Sequence, residues 1–175
     1  NLWQVVSILC KGCVVSPRTA AEGKPTTGGT VVVTGKYDRK ITVPGLLIRQ
    51  IKGPGPLQSD QPFINGLYMS SRARFFLEVL SGKVYGTESP YLTTAQVESL
   101  LERLMVIGKR KMNEMRDLAH EISDDMNMQS ECARLDSIIG ALMATHDTRL
   151  SSNTAIARQK GEPYDEKRIQ LFQLL

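Results

Sequence analysis

The residues of this chain best suited to metal or redox chemistry are three cysteines and two histidines. Cys10 and Cys13 enclose Lys11 and Gly12, the spacing of half a zinc site or of a redox dithiol, and either use needs further groups brought to the pair. The sequence holds no second Cys-x-x-Cys, and Cys132, His120 and His146 would have to converge from distant helices to complete four ligands. The dithiol is also expected at the end of a helix, not at a helix start where the dipole would favour a thiolate. Burial of small apolar thiols is the preferred reading, and no metal ligand is assigned. An odd cysteine count in a chain without a secretion signal argues against a disulfide framework.

His120 stands beside Glu121 and one turn from Arg116 and Asp124, and on so charged a helix face it reads as solvated rather than as an acid–base catalyst. His146 and Asp147 are expected just after a helix end, where the dipole favours an imidazolium and capping explains the pair. The glycines of Lys52 to Pro56 suggest a phosphate loop. Neither the dinucleotide fingerprint nor the Walker pattern is present, however, and the prolines remove amide donors, so the segment is read as an exposed turn. Arg49, Lys52, Arg72 and Arg74 are the candidates for contact with nucleic acid or a protein partner, with Lys109, Arg110 and Lys111 further on. No catalytic or cofactor-binding residue is assigned.

The elements that must position these groups follow from composition and period. With 175 residues and 41% hydrophobic content, the chain can bury one ordinary core or two small packed lobes. The net charge is +4, and residues 1–60 hold eight Lys/Arg against three Asp/Glu, so the basic excess is N-terminal. Those basic residues are scattered beside strands and turns, which favours an ordinary solvated surface over a nucleic-acid stripe. No apolar run reaches the roughly 20 residues of a membrane helix and no signal peptide is recognisable. The expectation is a cytoplasmic protein without a membrane partner.

The first third reads as β-rich. Ser16 and Pro17 start a short helix over Arg18 to Glu22 that stops at Gly23. Strands are expected over Thr30–Thr34, Lys40–Val43, Leu46–Ile51 and Leu67–Met69, with Pro44 and Gly45 as a bulge, an edge or a bend. The period then changes. A helix capped by Ser70 or Ser71 carries Ala73, Phe76, Leu77 and Leu80, ends at Gly82 and is expected to cover the sheet. Thr93 and Gln96 form a capping box ahead of Val97, Leu100, Leu101, Leu104 and Ile107. Two further apolar stripes follow, one from Met112 to Ile122 and one from Leu135 to Met143 after a Ser130 cap. Ser151 to Glu162 reads as a linker and Asp165 caps a last helix with Ile169, Phe172 and Leu175 inward. The apolar Leu174 and Leu175, and a start at Asn1 with Leu2, Trp3 and Val6 already core-like, imply continuation at both ends. The fold class expected is α+β, a small N-terminal sheet with a short helix over residues 1–82 and a layer of about four helices over 83–175.

Several blocks carry a resemblance. Val43 Pro44 Gly45 Leu46, then Gly53 Pro54 Gly55 Pro56 Leu57, Asp60 Gln61 Pro62 Phe63 and Gly66 through Arg74 resemble the region preceding the catalytic domain in bacterial Fic family proteins. Ser16 to Ala20, Leu135 to Leu142, Pro163 Tyr164 Asp165 and Leu171 Phe172 extend the likeness along nearly the whole chain. The sheet portion is also similar to the middle of type IV abortive-infection antitoxins (AbiEi-like), winged-helix autoregulators whose N-terminal winged helix has no counterpart here. The first resemblance implies a parent that transfers AMP from ATP to a protein hydroxyl with a histidine in an HPFxxGN-type motif and magnesium on the phosphates. Neither His120 nor His146 sits in such a motif. The family's inhibitory motif is incomplete too, because Thr19 to Glu22 Gly23 is one residue short and Thr94 to Glu98 ends in Ser99. The resemblance thus implies a non-catalytic regulatory or recognition region partnering a C-terminal Fic domain, with ATP and magnesium held only there. The alternative is an antitoxin-like module that binds DNA or a protein.

Overall fold

The computed structural model describes residues 2–15, 19–20, 25, 29–82 and 93–159. It is an α+β structure in which a six-stranded mixed sheet precedes a layer of four helices. The chain opens with α1 (Leu2–Leu9), then β1 (Val14–Val15), β2 (Thr30–Gly35), β3 (Arg39–Val43), β4 (Leu46–Lys52), β5 (Gln61–Pro62), a 3-10 turn (Ile64–Gly66) and β6 (Tyr68–Met69). The helices α2 (Arg72–Leu80), α3 (Thr94–Ile107), α4 (Lys109–Met126) and α5 (Gln129–Gln159) follow.

The strand order is β3-β4-β2-β1-β6-β5. β2 is β-branched almost throughout and buried on both faces, the character of a central strand. It pairs in parallel with β4 from Thr30↔Leu47 to Gly35↔Lys52, and antiparallel with the two residues of β1. Beyond the end of β1 the Val32 N–H donates instead to Thr19 Oγ1 at 3.2 Å, so the short neighbour leaves no orphan donor there. β3 and β4 form a hairpin closed by Pro44 and Gly45, with Gly45 at φ 75°, the left-handed position that glycine occupies without steric cost. At Gly35 the reason for glycine is space. A Cβ there would stand 2.5 Å from Cys13 Sγ and 2.8 Å from Gln50 Nε2.

Two apolar cores result. The sheet core gathers Val6 and Cys10 with Cys13, Val15, Val31, Val33, Ile48 and Leu67, under the apolar side of α1. Trp3 stacks edge-on against Phe63 at 5.4 Å and ties α1 to the 3-10 turn region. The helical core is drawn from α2, α3, α4 and α5, with Leu77, Leu101, Met112, Leu135 and Ile139 fully buried. The helix expected to cover the sheet does not do so. Ala73, Phe76, Leu77, Val79 and Leu80 of α2 all belong to the helical core, and α1 is the sheet's cover. Residues 73–80 are apolar or buried nearly all round, so their period gave the element but not its neighbour.

The capping box is present as expected: Gln96 N–H donates to Thr93 Oγ1, and the Thr93 N–H donates to Gln96 Oε1 at 2.8 Å. Gly108, at φ 143° and ψ 146°, ends α3 and starts α4, and Asn127, at φ 53°, turns α4 into α5. The expected linker from Ser151 to Glu162 is corrected: α5 runs on without a break to Gln159, since neither glycine nor proline interrupts residues 141–159. His146 and Asp147 consequently lie inside α5 and not after a helix end. Ser16 to Glu22, apart from the helical Thr19 and Ala20, lies outside the described residues, as do residues 160–162 and the helix expected from Asp165.

Among the described residues a polar node joins the lobes. Arg74 is 0% exposed, and its guanidinium donates to Asp60 Oδ2 at 2.6 Å, Glu78 Oε1 at 2.7 Å and the carbonyls of Gly55 and Pro54 at 2.8 Å each. Asp60 in turn accepts the N–H groups of Leu57 and Ser71, both at 2.9 Å. Removing one member of a buried charge cluster leaves its partners unpaired in a medium that solvates them poorly, at a cost of about 3–5 kcal/mol. Arg74→Ala is therefore expected to destabilise the chain by about 3–5 kcal/mol in denaturant melts, against less than about 0.5 kcal/mol for the exposed neighbour Arg72→Ala. Equal effects at the two positions would show that the node does not hold the lobes.

Candidate functional site

Of the four candidate contact residues, Arg74 is corrected outright: its guanidinium is fully buried and makes four hydrogen bonds inside the protein, so it reaches neither nucleic acid nor partner. Arg49 pairs with Asp38 at 3.0 Å on the exposed side of the β3–β4 hairpin. Lys52 is exposed at the end of β4, and Arg72 is exposed at the start of α2. Two strands, β2 and β1, lie between β4 and β6, which leads into α2, so the set does not merge into one basic patch. Lys109 pairs with Asp147, while Arg110 and Lys111 both bond Glu114, at 2.9 and 2.8 Å. The Lys111 ammonium holds the Glu114 carboxyl below the ordinary value, with Arg110 adding to the effect.

What the structure does assemble is a groove of about 550 Å³ between the β6 end of the sheet, α2 and α3. Its apolar floor includes Phe75, Phe76, Leu100 and Leu104, the two phenylalanines meeting edge to face at 5.2 Å. Arg72 from α2 and Arg103 from α3, both exposed, stand on its rim. Ser70 lines it as well, and its hydroxyl oxygen is buried without a hydrogen-bond partner. Apolar rings flanked by two guanidinium groups and an unsatisfied hydroxyl suit an occupant that is apolar in the middle and anionic at its edge. Arg103 escaped the sequence reading because it lies among the apolar residues of α3. It shares a groove with Arg72 only once α2 and α3 have both packed on α4 and α5.

The cysteines separate. Cys10 and Cys13 are buried in the sheet core and Cys132 in the helical core, so the three do not share a site. The Cys13 thiol bonded to Cys10, helped by the nearby Arg39 guanidinium, lowers the Cys10 pKa against its burial, while the same bond and burial push Cys13 well up. Arg39 donates to Leu9 O at 2.8 Å and Gln50 Oε1 at 2.6 Å, which fixes that cation over the end of α1. His146 faces a smaller cleft of about 230 Å³ with Met105 and Leu142, and its Nδ1 has no hydrogen-bond partner.

His120 is not merely solvated. Its Nε2 lies 2.8 Å from Asp136 Oδ2 across the α4–α5 hairpin, with Cys132 one turn before Asp136. Asp136 was missed, although the signal was there: folding the chain about Asn127 brings residue 120 opposite 134, between Cys132 and Asp136. Burial and the Asp136 carboxylate raise the Cys132 pKa, partly offset by the neighbouring Ser123 hydroxyl.

These features define an α+β protein of two cores with a basic-rimmed apolar groove beside their junction. Compared with family models, curated proteins and solved structures, the chain matches none.

An anionic aromatic probe such as anilinonaphthalene sulfonate is expected to brighten on binding the groove. The Arg72→Glu/Arg103→Glu variant should weaken it at least tenfold, with cooperative unfolding retained. Undiminished binding would place the probe elsewhere.

Proposed function

We propose that this chain is a non-catalytic recognition region working beside a Fic-type catalytic domain, and that the groove takes an acidic, apolar-centred segment of the target protein. The groove itself carries the proposal: two exposed guanidinium groups flank aromatic rings and an unsatisfied serine hydroxyl, a combination complementary to carboxylate-bearing peptide. Several of the blocks that carry the likeness to Fic proteins also meet in one place. Gly53 to Leu57, Asp60 and the stretch from Ser71 to Arg74 meet in a single node, so these residues are linked by one structural requirement. In this reading AMP transfer, ATP and magnesium belong to the partner domain, and the chain orients the hydroxyl-bearing target.

The gene beyond codon 175 is expected to encode an HPFxxGN-type motif, and the full-length protein to transfer AMP from magnesium ATP to a target protein. Arg72→Glu/Arg103→Glu should lower target modification at least tenfold through KM. A gene without that motif, or a full-length protein without AMP transfer, would end the Fic reading. Unchanged KM would end the groove's part in it. The antitoxin-like, DNA-binding alternative draws less support, because the basic residues are dispersed and several pair within the chain. A gel shift at low salt is expected to show no retardation by this chain, and salt-dependent binding would revive that alternative.

A further inference from the structure

We propose that His120, Cys132 and Asp136 form a zinc-binding site of three protein ligands with a fourth position open to solvent, clasping α4 to α5. This rests on the hairpin alone and is independent of the groove. One ligand atom from each residue lies within 4.8 Å of the other two, close to what a single ion requires. With zinc bonds of about 2.0–2.3 Å, tetrahedral ligand pairs stand roughly 3.3–3.8 Å apart. Small side-chain adjustments therefore suffice, and the His120–Asp136 pair at 2.8 Å has only to open slightly.

The second observation is an unsatisfied acceptor. Asp136 Oδ1 is buried without a hydrogen-bond partner, and the nearest cation, Arg116 Nε, is 4.0 Å away. A carboxylate oxygen desolvated but unbonded is costly, and a bound cation would satisfy it. Arg116 is the resident competitor and would be released. Ser123, whose hydroxyl donates to the His120 carbonyl at 2.9 Å, stands beside the Cys132 thiol.

Donor chemistry selects the metal class. A thiol, an imidazole and one carboxylate suit borderline-soft zinc over magnesium or calcium, which take oxygen shells. Cys132 is 3% exposed, whereas the His120 side chain is 56% exposed, so the ion enters, and a water completes the tetrahedron, from the histidine side. Binding replaces the Cys132 S–H proton by the metal and releases it to solvent, with no change of oxidation state. His120 Nε2 becomes the ligand and its proton resides on Nδ1.

The test uses the complete chain, reduced and freed of metal with a chelator, titrated with cobalt(II) alone. One equivalent is expected to give tetrahedral visible bands and a near-ultraviolet sulfur-to-cobalt charge-transfer band, both erased by added zinc. Cys132→Ser should lose the charge-transfer band. Asp136→Asn and His120→Ala should each weaken binding at least tenfold. His120 is exposed, so His120→Ala should still unfold cooperatively and, unlike the parent, gain no thermal stability from zinc. Cobalt binding without the charge-transfer band would overturn the site. So would its loss in Cys10→Ser/Cys13→Ser with retention in Cys132→Ser, or zinc stabilisation of His120→Ala equal to the parent's.

Discussion

The packing of this molecule turns on a buried guanidinium. Arg74 is the third residue of a helix that belongs to the helical core, yet two of its four hydrogen bonds end on carbonyls of the Pro54–Gly55 turn that follows the last long strand of the sheet. Asp60 completes the connection by accepting from Leu57, Ser71 and Arg74 together. A turn rich in glycine and proline has little regular hydrogen bonding of its own, so its carbonyls need a multidentate donor. Arginine is the side chain whose planar fork can serve several acceptors at once. The groove depends on this arrangement, because its α2 wall, from Arg72 to Phe76, leads directly out of the node.

Division into two apolar cores explains why one polar junction carries so much. The sheet core and the helical core are separate clusters, and among the described residues Leu57 is the loop side chain that packs from the turn onto the helices. An apolar seam would tolerate sliding. Directional bonds of 2.6 to 2.9 Å to fixed carbonyls and carboxylates do not, so the junction sets the angle between layers as well as their contact.

The sequence exposed the elements whose signals are local and concealed those made by partners. β-branched β2, the Thr93–Gln96 capping box and the apolar stripes of α3, α4 and α5 were all legible, because each is written within a few residues. The two-residue strands β1 and β5 exist only through pairing with distant segments, so no period announces them. Arg74 read as a surface cation. Its Glu78 counter-charge one turn on was visible, but Asp60, fourteen residues before it, becomes a neighbour only once the turn has folded. Asp136 and Arg103 were hidden in the same way, since each acquires its companions across a helix pair. His146 was misplaced for a simpler reason: polar residues after Ala144 suggested an end, and the helix continues through them.

Gly108 has a mechanical consequence. It is a single residue serving as the last cap of α3 and the first of α4, in a backbone conformation that only glycine takes up readily. α3 supplies Leu104 and Ile107 to the groove, and the next helix carries His120 on its far half. The covalent path from one to the other is thus a lever with one pivot. A residue with a Cβ at that pivot would strain the backbone that sets one helix against the other.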